Sequence, residues 1–136
     1  LFIVAQDVDD DVRASVREFV RQLAPLRNWL NGPPRFVHSK ERPADRSRGD
    51  MPVETVGAYL DIYSASPPLM LPREIDLQHL EEVTTLVDAV RDFSRETTLE
   101  FEFELDGNFI GAVADGEMDR SLSEGLLDEW KRQLGT

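Results

Sequence analysis

Three glutamates that alternate along one short segment, Glu100, Glu102 and Glu104, are the most regular set of reactive side chains in the sequence. On an extended strand they share one face, about 7 Å apart. Buried together, such carboxylates could exchange protons or hold a cation. Exposed on an antiparallel sheet, the same alternation is the polar side of a half-buried strand, and its chemistry is then recognition of a basic partner. No flanking residue favours burial, so a solvated polar face is the plain expectation and recognition of a basic partner the functional one.

The other reactive residues make weaker sets. His79 sits beside the apolar stripe of a helix and His38 lies among charged residues; they form no metal-spaced histidine cluster. Ser39, Ser64 and Ser66 lie outside any G-x-S-x-G turn. Asp115, Glu117 and Asp119 alternate like the opening of a calcium loop. Arg120, however, stands where that loop needs glycine, and Leu126 where it needs a bidentate glutamate. A turn leading into a capped helix accounts for the same residues. P-loop, dinucleotide and H-E-x-x-H patterns are absent. With no cysteine, disulfides, thiolate metal sites and a thiol nucleophile are excluded. The expectation is no catalytic residue, no metal and no cofactor, and a balance against an enzyme.

Charge points the same way. The net charge is −12, and all of it belongs to the second half of the chain. Residues 1–73 carry ten acids and ten bases, whereas residues 74–136 carry seventeen acids and five bases. That half repels phosphate backbones and anionic lipid, which argues against nucleic acid and membranes as partners. Arg13, Arg17 and Arg21 form a stripe at helical spacing, with Asp9, Asp10 and Glu18 placed to pair with it. Arg35, Lys40, Arg42, Arg46 and Arg48 make the one basic island, but Phe36 alone interleaves it, a weak nucleic-acid signal. No apolar run approaches the roughly 18 residues of a spanning helix. The opening Leu1–Ala5 is too short for a signal-peptide core. A cytoplasmic protein of bacterial type is expected; thirteen of the fifteen bases are Arg, as a GC-rich genome would favour.

The elements that must position these residues follow from periodicity. Leu1–Ala5 reads as a buried strand. Asp9 and its neighbours cap a helix from about Asp10 to Leu30, which Pro25 kinks or ends. Residues 35–52 lack apolar periodicity and read as a mobile charged loop. Val56, Ala58, Leu60 and Ile62 alternate on a strand from Val53 to Tyr63. A helix from about Asp76 to Arg95 buries Leu80, Val83, Leu86, Val87, Val90 and Phe93. Residues 98–113 form an antiparallel hairpin about the Asp106-Gly107 turn. Ser121 and Glu124 suggest a capping box for a last helix whose apolar face includes Trp130.

One α+β domain over residues 1–136 is therefore expected, in the order β-α-β-α-β-β-α, with a mixed sheet packed against helices. The leading function is a non-enzymatic interaction domain of immunity or regulatory type. It would present Glu100, Glu102 and Glu104 to a basic protein. The alternative is a small-molecule-binding domain or small enzyme. Its pocket would lie between helices and sheet, with Tyr59, Tyr63, His79 and Trp130 as polar-tipped lining residues.

Overall fold

A computed structural model describes residues 1–41, 53–62, 72–105 and 107–135. The chain is α+β, with one six-stranded sheet and three α-helices. The strands are β1 (Phe2–Val4), β2 (Arg35–Glu41), β3 (Val53–Tyr59), β4 (Phe101–Leu105), β5 (Asn108–Ala114) and β6 (Glu117–Met118). Their spatial order is β2-β3-β1-β4-β5-β6. Every pairing is antiparallel, where a mixed sheet had been expected.

The helices are α1 (Asp10–Leu23), α2 (Arg73–Thr97) and α3 (Glu129–Leu134). Asp9 caps α1 by accepting the Val12 N–H at 2.8 Å. Pro25 ends α1 early: a single 3-10 turn at Ala24–Leu26 replaces the continuation to Leu30. A π-helical segment, Ser121–Asp128, leads directly into α3. Its wider turn buries Leu122 and Leu127, five residues apart. Its cap is Asp119, which accepts the Leu122 N–H at 2.9 Å, rather than Ser121.

α1, α2 and the π-helical segment lie on one face of the sheet, because residues of a single face meet each of them. Phe2 and Phe101 point inward and touch edge-to-face at 5.7 Å. Phe19 of α1 reaches Phe2 at 6.1 Å, Phe93 of α2 reaches Phe101 at 5.8 Å, and these two helix rings stack at 4.2 Å. The π segment meets the same face at Gly111. A Cβ there would stand 2.5 Å from Cβ of Leu122, so only glycine lets the two backbones approach this closely. Gly111 also lies beside a bulge: the register slips between Phe103 and Glu104, leaving Ile110 as the extra residue of β5.

Two strands depart from the sequence reading. Residues Arg35–Glu41, expected as the start of a charged loop, form β2 and pair along their whole length with β3. The rest of that loop, 42–52, lies outside the described residues. A second hairpin joins β5 to β6 through Asp115 (φ +51) and Gly116 (φ +77), a left-handed pair suited to a two-residue turn. This turn is docked on α2. The Gly116 N–H donates to the buried Ser94 hydroxyl, which itself donates to the Leu99 carbonyl at 2.7 Å. Arg91 donates to the Gly116 carbonyl at 3.0 Å.

Candidate functional site

The face opposite the helices carries the three glutamates. Val37, Gly57, Ile3, Glu102 and Ala112 stand in one cross-strand row. Glu102 therefore projects between two small or apolar neighbours and has no cation across from it. The row toward the hairpin end pairs Arg35 with Tyr59 and Glu104 with Phe109, while Leu1 exchanges backbone hydrogen bonds with Glu104 between them. Tyr59 and Phe109 are exposed, Phe109 by 56%. Glu100 and Glu102 are exposed and Glu104 is half-buried. Among the described residues no Lys, Arg or His side chain pairs with any of the three. The expected alternation is thus realised on an open, aromatic-flanked surface.

Strand order adds what the sequence could not supply. Residues 1–73 build β2, β3 and β1, and residues 74–136 build β4, β5 and β6. The boundary between the neutral and acidic halves of the chain thus becomes the seam between β1 and β4.

A cavity of about 340 Å³ opens at the hairpin end, between the sheet, α2 and the last helical segments. Leu86, Ile110 and Leu126 contribute apolar wall, and Tyr59 and Trp130 line it as expected. The Trp130 indole N–H is already donated to Asp76 at 2.7 Å. His79, expected with them, is elsewhere, and Tyr63 lies outside the described residues. Glu104 is the one acidic lining residue among those described, no described Lys, Arg or His lines the cavity, and Leu1 lines it beside Glu104.

His79 is instead fully buried one turn from Glu82, which is also fully buried, with Nδ1 to Oε1 at 3.4 Å. Neither carboxylate oxygen of Glu82 finds a hydrogen bond among the described residues. Sequence reasoning passed over Glu82, although its i,i+3 spacing from His79 was a usable signal.

His38, expected in a loop, belongs to β2 and bonds Glu54 of β3 through Nε2 at 2.7 Å. Arg13 donates to the same carboxylate oxygen at 2.6 Å and to Asp10 at 2.7 Å. Burial pushes the Glu54 carboxyl up, but the hydrogen bonds from Arg13 and His38 outweigh it and hold it below the usual range. Arg17 lies over the Phe36 ring at 5.0 Å, and Arg21 pairs with Glu18 at 2.9 Å. The arginine stripe is therefore engaged within the fold.

No protein-family model matches this chain, and no curated protein or solved structure resembles it significantly. Among the described residues no cluster of three His, Cys, Asp or Glu side chains could hold a metal ion. No described helix is long and apolar enough to cross a membrane.

Proposed function

We propose that this chain is a non-enzymatic, cytoplasmic interaction domain of immunity or regulatory type that binds a basic protein through the open face of its sheet. One observation carries the reading. Glu102 and Glu104 project from β4, with Glu100 just before it, in the part of the sheet built by residues 74–136, the half of the chain that carries the net charge of −12, and no described Lys, Arg or His side chain pairs with them. Complementary charge speeds association and rejects like-charged partners, phosphate backbones included. Exposed Tyr59 and Phe109 beside the glutamates supply the aromatic area that protein interfaces favour.

The test uses the partner recovered by affinity capture from the native host. Its association kinetics are measured across a salt series with the wild-type chain and with Glu100, Glu102 and Glu104 all replaced by Gln. The triple variant should keep its melting temperature, associate more slowly and lose much of the salt dependence. Unchanged kinetics across the series would rule out the acidic face as the binding surface.

A further inference from the structure

We infer that the cavity between the hairpin end of the sheet, α2 and the last helical segments is a binding site for a small amphiphilic amine, an apolar body with a cationic head. Its volume, about 340 Å³, falls in the roughly 300–1,000 Å³ range of small-molecule sites. Leu86, Ile110 and Leu126 offer the apolar body aliphatic walls, and Trp130 adds an aromatic one. The Trp130 indole N–H is fixed on Asp76, so that ring contributes its face and leaves no unmet donor in the cavity.

Polar groups then select the head. Glu104 and Tyr59 line the same space, and no described basic side chain does. A carboxylate head would meet Glu104 with like charge; an ammonium would form a charge-assisted hydrogen bond in a partly desolvated place. Glu104 is shared with the outer acidic face, so the test reads binding at Trp130, which lines the cavity.

The probes are octylamine, octanol and octanoate at about pH 7, where an alkylamine is cationic and a carboxylic acid anionic. The readout is the pair of indole N–H resonances, assigned with a Trp29→Phe variant. Octylamine should move the Trp130 resonance and leave Trp29 in place. It should bind about tenfold more tightly than octanol, with octanoate weakest. Glu104→Gln should bring octylamine down to the octanol level. That control separates a local contact from general attraction to an acidic protein, because it removes one charge of a net −12. Leu126→Trp should fill the cavity and abolish binding of all three; octanol binding by Glu104→Gln shows that the cavity persists when charge alone is removed. The inference is overturned if no probe moves Trp130. It is equally overturned if octanoate matches octylamine, or if Glu104→Gln binds octylamine like the wild type.

Discussion

Replacing both members of the buried His79–Glu82 pair should cost less than the two single replacements added together. The two side chains are 1% and 0% exposed, and 3.4 Å separates Nδ1 from Oε1. The desolvation cost of burying two polar groups is offset by their contact, so such a pair roughly breaks even against apolar residues of similar volume. Removing one partner keeps the burial cost of the other and loses the attraction. His79→Leu, which strands a carboxylate with no other hydrogen bond among the described residues, should therefore destabilise by about 3–5 kcal/mol. Glu82→Met should also destabilise, because it removes the carboxyl group beside the buried imidazole. The double variant should lose less than the two single losses added, by more than about 1 kcal/mol. Urea denaturation of all four proteins closes the cycle, and losses from other His79 contacts cancel in the coupling term. A coupling below about 0.5 kcal/mol, or a double variant as unstable as the two single losses added, would refute the reasoning.

Two further outcomes follow from other contacts. Trp130→Ala should cost about 2–3 kcal/mol in chemical denaturation, below the roughly 3–5 kcal/mol of a fully buried aromatic, since Trp130 is half-buried but holds Asp76; a loss under about 1 kcal/mol would show that this contact does not anchor α3. Glu54 has its folded pKa depressed, so the stability it contributes is present above its unfolded pKa of about 4.3 and is lost as pH falls through the lower folded value. The melting temperature of Glu54→Gln should therefore lie below that of the wild type at neutral pH and converge with it in acid; parallel curves down to about pH 2 would contradict the Arg13–Glu54–His38 contact.

The elements legible in the sequence were those whose own side chains bury a face. Leu99, Phe101 and Phe103 alternate with glutamates, so β4 and its polar side could be read directly. The apolar stripe of α2 was equally plain. β2 escaped because Arg35–Glu41 is an edge strand rich in charge. It is held by backbone pairing to β3 and by a polar cluster, Arg13, His38 and Glu54, drawn from three elements. No local pattern encodes that. β6 escaped because two residues are too few to alternate, although Asp115-Gly116 repeats the Asp-Gly turn chemistry of the first hairpin. Glu82 escaped because a charged helix residue is assigned to solvent unless a partner such as His79 is sought one turn away. Tyr59 and Trp130 could be named as lining residues, but their meeting in one cavity depends on strand order, a tertiary property.

Strand order also decides what a charged partner would sense. Had the strands alternated between the two halves of the chain, the acidic residues would have been diluted among the basic ones across the sheet. Instead, Arg35 in β2 lies three strands from Glu102 in β4. At the usual spacing that is about 14 Å, beyond the roughly 8 Å screening length at physiological salt. A partner at the β4-β5-β6 side is therefore screened from the bases at the far edge. The field of Glu102 would then act on such a partner without compensation from Arg35. The glutamate row, lying next to the seam, sits where that partner would first meet apolar surface at Ile3 and Val37.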